Sequence, residues 1–268
     1  MTAHTHRVEL HRSAFPGIEA MMLHSDHAFP RHSHDTYGIG IMVSGAQRSW
    51  SVVGQVEAQA GDVVMVNPGE MHDGSPIGGA RGWRIIYIDP PVVRRAIADD
   101  VAEADLTIKP VARDPRLGAN VARLFGALGT GDALLTEECL ARCLMLVIES
   151  HDIRGRRKPI ASPSIMRALE RLDDAPNTAV SLQELARCCG MTRFQLVRGF
   201  AREVGTTPHA YLIQRRVRLV RQLLAGGAAP ADAAMRAGFS DQAHMTRVFT
   251  RHVGITPGRY RRGLKSAG

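Results

Sequence analysis

Leu185-Ala186-x3-Gly190-Met191-Thr192, followed by Phe200-x4-Gly205-Thr206-Thr207-Pro208-x2-Tyr211, is a stretch that this chain writes twice. The second copy reads Ala233-Ala234-x3-Gly238-Phe239-Ser240, followed by Phe249-x4-Gly254-Ile255-Thr256-Pro257-x2-Tyr260. Recurrence at an interval of about fifty residues says that one small structural unit is built twice. Each copy carries an Ala four residues before a Gly, and a helix-length segment after it. A small Ala lets two helices approach closely, and Gly accepts the positive φ of a tight turn. Each copy therefore spells a helix-turn-helix.

Local signals mark where these helices begin. Ser181-x-x-Glu184 is a capping box opening the first helix of the first unit, and Thr192-x-x-Gln195 opens the second, which should reach about Arg202. That second helix is expected to turn Leu196 and Phe200 inward and Arg193, Phe194, Val197 and Arg198 outward. In the second unit, Ser240 or Asp241 caps a helix reaching Thr250. Met245, Val248 and Phe249 should face inward there, and Gln242, Ala243, His244, Thr246 and Arg247 outward. Recognition helices lie in the major groove, where Arg suits guanine, Gln suits adenine, and methyl or apolar groups suit thymine. The nine outward residues are the candidate DNA contacts. Tyr211 to Leu224 reads as one long helix, a rigid spacer carrying Arg215, Arg216, Arg218 and Arg221. Two recognition helices in successive grooves would sit roughly 34 Å apart.

Charge supports the same division of labour. Residues 1–150 hold 13 Lys and Arg against 18 Asp and Glu, whereas residues 151–268 hold 21 against 8. Nearly all the basic residues of the second half are Arg, whose planar fork suits phosphate and guanine. An acidic front and a basic back imply two jobs, with double-stranded DNA bound behind. No 18-residue apolar run exists, so no membrane partner is expected, and Met1 to Arg12 lacks the apolar core of a signal peptide. The chain should be cytoplasmic, with Cys139, Cys143, Cys188 and Cys189 reduced.

Gly238-Phe239-Ser240-Asp241-Gln242-Ala243-His244-Met245-Thr246-Arg247-Val248-Phe249, then Gly254-Ile255-Thr256-Pro257-Gly258-Arg259-Tyr260-Arg261, closely resembles the signature of the AraC/XylS family of bacterial transcription regulators. The resemblance covers roughly 164–264 and implies an all-α domain of seven helices with two helix-turn-helices. It also implies that the nine outward positions above contact bases and phosphates, and it makes RNA polymerase a candidate partner. Phe194 and Val197 are apolar, so polar readout by the first helix should rest on Arg193 and Arg198.

The front half reads differently. Tyr37, Ile39, Ile41 and Val43 alternate as a strand ending near Ser44-Gly45; Trp50 to Val53, Val63 to Val66 and Trp83 to Ile88 follow as further short strands. Many short strands at this spacing suggest a small barrel or sandwich. After Pro115, Leu117, Val121, Leu124 and Leu128 form a helical stripe, and a second helix runs from about Ala133 to Glu149. On it Cys139, Cys143 and Leu146 widen the face of Leu140, Leu144 and Val147. The surplus serves either as the seam of a homodimer or in packing on the chain's own barrel. The expected architecture is α+β in two domains: a barrel with a helix pair over 1–150, a linker over 151–163, and the tandem helix-turn-helix domain over 164–268. His32-x-His34, Gly45, Gly61 and Pro68-Gly69-Glu70-Met71-His72 look like a cupin, the small barrel that forms the effector domain of many such regulators.

The resemblance implies a small-molecule effector in the barrel, with lining drawn from His32, His34, Tyr37, Trp50, His72, Trp83 and Tyr87. Arg31 and Arg84 are candidates to meet a carboxylate on it. A metal site at His32, His34 and His72 ranks lower, because metal-binding cupins add a glutamate and positions 38–40 are Gly, Ile and Gly. A purely structural barrel that only dimerises stands between the two. Neither cofactor nor catalysis is expected. The stretch Thr2 to Phe15 is either an arm over the ligand or an inert tail.

Overall fold

The computed structural model describes residues 5–13, 15–51, 53–97, 106–153 and 161–265. The chain divides into two compact units, Met1–Arg157 and Lys158–Gly268. Most of the expected linker, 154–160, lies outside the described residues. Its first residues do not behave as a linker. The His151 carbonyl accepts from Lys109 N–H, and Asp152 bridges to Ile108, which ties this end to the first unit.

The first unit is antiparallel throughout. Its strands are β1 (His6–Arg12), β2 (Ile18–Ser25), β3 (Phe29–His32), β4 (Tyr37–Ser51), β5 (Gly54–Gln59), β6 (Val63–Val66), β7 (His72–Ile88) and β8 (Val111–Ala112). The sheet order is β1-β2-β7-β4-β6-β8, with β3 on β7 and β5 on β4. Ser44-Gly45 does not end a strand. It is a pair of register shifts within β4, where Gly45 at φ +67° passes so close to Ala80 and Arg81 that a Cβ would collide. Such bulges bend a strand, and β4 and β7 can therefore serve both halves of the curled sheet. Trp50 belongs to the end of β4 rather than to a separate strand. The stretch at His6–Arg12 is neither tail nor loose arm: all seven residues pair with β2 as an edge strand.

Alternation assigns the two faces. Ile18, Ala20, Tyr37, Ile39, Val63, Met65, Ile86 and Ile88 face three helices: α1 (Pro90–Ala96), α2 (Pro115–Leu128) and α3 (Ala133–His151). Cys139, Cys143, Leu140, Leu144 and Val147 of α3 are all buried in this core. The wide apolar face of α3 is thus consumed mainly by its own domain, the plainer of the two readings. The opposite sheet face carries Met21, Leu23, Met42, Trp83 and Ile85, also buried, and is closed by the sheet's own curl.

The second unit is helical: α4 (Pro163–Asp174), α5 (Leu182–Cys188), α6 (Arg193–Gly199), α7 (Pro208–Ala225), α8 (Pro230–Arg236), α9 (Gln242–Val253) and α10 (Pro257–Lys265). Both expected capping boxes are formed, Ser181 with Glu184 and Thr192 with Gln195. The helix begun by α6 does go on beyond Gly199, but as a π-helical turn, Phe200–Val204, that stops at Gly205 with φ +82°. In the second unit the cap is Asp241, whose carboxylate accepts from His244 N–H.

Candidate functional site

The helix-turn-helices are α5–α6 and α8–α9. Ala186 and Ala234 are buried, and the turn glycines Gly190 and Gly238 have φ of +65° and +79°. Gly238 is doubly constrained, since a Cβ there would lie 2.5 Å from the Asn177 carbonyl. Leu196 and Phe200 anchor the first recognition helix, and Met245 and Phe249 the second, all fully buried. That leaves Arg193, Phe194 and Arg198 exposed on α6, with Val197 half-buried. Phe194 is 68% exposed, and the Arg198 guanidinium lies over its ring at 5.4 Å. On α9, Gln242, Ala243 and Arg247 are exposed, while His244 and Thr246 are half-buried. His244 is held at the helix start, its Nδ1 3.2 Å from Ser240 Oγ and its ring edge-on to Phe239.

The spacer arginines have structural work. Arg215 pairs with Asp173 at 2.7 Å, Arg216 donates to the Pro176 carbonyl, and Arg221 lies by the Tyr260 ring. Part of the basic excess therefore braces α7 against its neighbours.

In the first unit His32, His34 and His72 meet. Their ring centroids are 4.4 Å (His32–His72), 4.9 Å (His32–His34) and 5.1 Å (His34–His72) apart, and Tyr87 lies 4.8 Å from His34. The arrangement follows from pairing. His32 and His72 are direct partners between β3 and β7, and the Gly69 N–H donates to the His34 carbonyl at 2.6 Å. The Asn67–Glu70 turn is itself pinned, because Asn67 donates to the Glu70 carboxylate and exchanges two hydrogen bonds with Ile108. Glu70 is thus engaged in holding the turn that presents His72. Burial is the largest influence on the His72 pKa and lowers it, keeping the ring neutral near pH 7.

Two proposed lining residues stand elsewhere. Tyr37 pairs with Ile88 and belongs to the helix-side core, where its hydroxyl donates to the Leu106 carbonyl at 2.9 Å. Side chains alternate along a strand, so it points away from Tyr87, the partner of Gly38. Trp50 accompanies Asp73, which accepts its backbone N–H, and lies 3.9 Å under the Arg31 guanidinium. Alternation puts Asp73, and Trp50 with it, on the face opposite His72. Trp83 does share the inner face, edge-on to Phe29. Arg84 faces Phe125 of α2. Among the described residues, a fully buried cation of the inner face is Arg81, which sequence reasoning missed. It is fully buried and donates to the Ser25, His27 and Gly74 carbonyls and to Gln47. A lone Arg after Gly-Gly-Ala carried no signal in one dimension.

Comparison with known proteins agrees with this geometry. A family model described as an AraC-like ligand binding domain matches residues 15–144, and one described as a helix-turn-helix domain matches residues 185–263. An uncharacterized HTH-type transcriptional regulator of Bacillus subtilis, YbfI, is 29% identical over 81% of each chain. A putative AraC-like transcription regulator of Streptomyces lividans is 31% identical over 42% of this chain and 37% of its own length. Among solved structures, apo ToxT K231A from Vibrio cholerae superposes with a TM-score of 0.58 over 98% of each chain at 13% identity. That last likeness is one of fold. Among the described residues no helix is long and apolar enough to cross a membrane. With both halves matched, the chain belongs to the AraC family of DNA-binding transcription regulators that carry an N-terminal ligand-binding domain.

Proposed function

We propose that the two recognition helices read one face of duplex DNA in tandem, and that a small molecule held in the barrel biases this binding. Arg193, Phe194 and Arg198 of α6, and Gln242, Ala243, Thr246 and Arg247 of α9, make the contacts in this reading, with His244 and Val197 at the margin. The observation that carries it is the pairing of two capped, glycine-turned units whose outward helix faces are rich in Arg and Gln. An exposed Phe194 is costly in water and suited to a thymine methyl. The effector meets the inner face of the barrel, through His32, His34, His72, Trp83 and Tyr87. A ToxT of Vibrio cholerae has been solved with an unsaturated fatty acid bound, so this fold can hold a small organic molecule. The action is regulatory rather than enzymatic, exerted on RNA polymerase in the cytoplasm. Leu134, 76% exposed, and Met145, 50% exposed, are apolar side chains of α3 left outside its core and suit a homodimer seam.

An effector can shift an equilibrium only by its differential affinity for the two states. Capture of fragmented genomic DNA by the purified protein at near-physiological salt tests the reading. Motifs about one helical turn apart are expected, and Arg247→Ala should weaken the specific sites by about 1–3 kcal/mol if it pairs with guanine. Uniform capture, or an unchanged Arg247→Ala profile, refutes that assignment. A fixed DNA affinity at saturating effector would instead favour a constitutive regulator whose barrel only dimerises.

A further inference from the structure

The histidine trio of the barrel is arranged for more than hydrogen bonding. One ring nitrogen from each of His32, His34 and His72 lies within 4.8 Å of those of the other two. His32 Nδ1 is 2.6 Å from the Pro30 carbonyl oxygen, and His72 Nδ1 is 3.0 Å from that of Glu70. A carbonyl oxygen only accepts, so both Nδ1 atoms carry the proton and both rings keep their lone pair on Nε2. A backbone carbonyl fixing the far nitrogen is how ligating imidazoles are oriented in metal sites.

We propose that His32, His34 and His72 form a binding site for a divalent transition metal of zinc's class. Three imidazoles supply three nitrogens, and the fourth position is left to an oxygen ligand, either water or a group of the effector. A nitrogen-only donor set selects against calcium and magnesium, which take oxygen ligands, and suits zinc, cobalt, nickel or copper. Zn–N bonds of about 2.05 Å in a tetrahedron set the nitrogens roughly 3.3 Å apart, so modest ring rotations close the trio around the ion. The backbone need not move, because the β3–β7 pairing and the Asn67–Glu70 turn already hold the segments together. The glutamate missing from positions 38–40, which ranked metal low on sequence, is replaced on the inner face by Gly38 and Gly40. A Cβ at Gly38 would touch Ile85 and Tyr87, and one at Gly40 would collide with the Arg84 carbonyl, so no side chain from these positions takes the fourth place and it falls to an oxygen ligand from outside the trio. No DNA contact enters this argument, so its failure would leave the regulator reading intact.

The test uses the full chain, stripped with a chelator and titrated first with Co2+ and then with Zn2+. One saturable equivalent per chain is expected, with the visible d–d bands of four-coordinate cobalt, bleached by zinc, and a rise in melting temperature. H32Q, H34Q and H72Q should each lose the equivalent and the melting shift, while H6Q/H27Q, altering a second histidine pair of the barrel, keeps both. Absence of a saturable equivalent, or its survival in all three single variants, overturns the site. If a glutamine variant fails to fold, 15N imidazole spectra of the unaltered chain decide. Zinc should shift three histidines at the trio, and shifts confined to other histidines would overturn the proposal.

Discussion

Arg81 shows how much one side chain can hold. It is fully buried, stacks 4.8 Å over Trp83, and joins β2, the segment after it, β4 and the start of β7 through four hydrogen bonds. Burial lowers its pKa to about 10, which still leaves it charged at neutral pH. Arg81→Met keeps the volume but orphans the buried Ser25 and Gly74 carbonyls and the half-buried His27 carbonyl, each buried one costing on the order of 1–3 kcal/mol. A total loss of about 3–5 kcal/mol is expected. Both tryptophans, Trp50 and Trp83, lie in the first unit, so urea unfolding followed by tryptophan fluorescence reports that unit directly. An unaltered midpoint would show that the carbonyls find other donors. Asp114 is a second such anchor: it caps α2 through Leu117 N–H, and His151 sits 2.7 Å away.

At the scale of elements, α9 links packing to pH. His252 near its end is half-buried, and its Nδ1–H donates to the Val248 carbonyl at 2.9 Å. Burial, the largest influence, lowers its pKa below 6.5. The unfolded chain, with a pKa near 6.5, therefore takes up a proton that the native helix does not. Stability is flat above that value, falls as pH drops through it, and levels off below the native pKa. Amide exchange in α9, corrected for its intrinsic rate, should show weaker protection at pH 5.5 than at pH 7.5. His252→Gln should reduce the difference, and equal protection at both pH values would remove His252 as the cause. The π-helical turn after α6 is the other element-scale feature. It replaces a continued α-helix with a wider turn while keeping Phe200 in the core beside Tyr211.

At the scale of the whole molecule, charge separates the two units: residues 1–150 are net acidic and residues 151–268 strongly basic. Phosphate binding releases condensed counterions, so affinity should depend steeply on salt. If the basic unit neutralises roughly six phosphates, affinity should fall about a thousandfold between 50 and 200 mM salt. Fluorescence anisotropy with a fixed duplex across that range measures the slope. A flat response would mean that the excess arginines serve mainly the internal contacts seen at Arg215, Arg216 and Arg221.

The DNA-reading half was legible from sequence because its signals are local. Capping signals, turn glycines and a helical period each act within about four residues, and together they placed the starts of α5, α6 and α9. The histidine spacing likewise anticipated the trio, since His32 ends one strand with His34 two residues beyond it and His72 opens another. What only the tertiary structure decided depends on register and curl. A parity of two sent Tyr37 to the helix side and Tyr87 inward, and a bulge at Gly45 turned an expected strand end into the bend of a longer strand. Arg81 became the buried cation because acceptors of β2, the segment after it and β4, all distant in sequence, converge on it together with Gly74 of its own strand, an arrangement set by long-range pairing that no local pattern encodes.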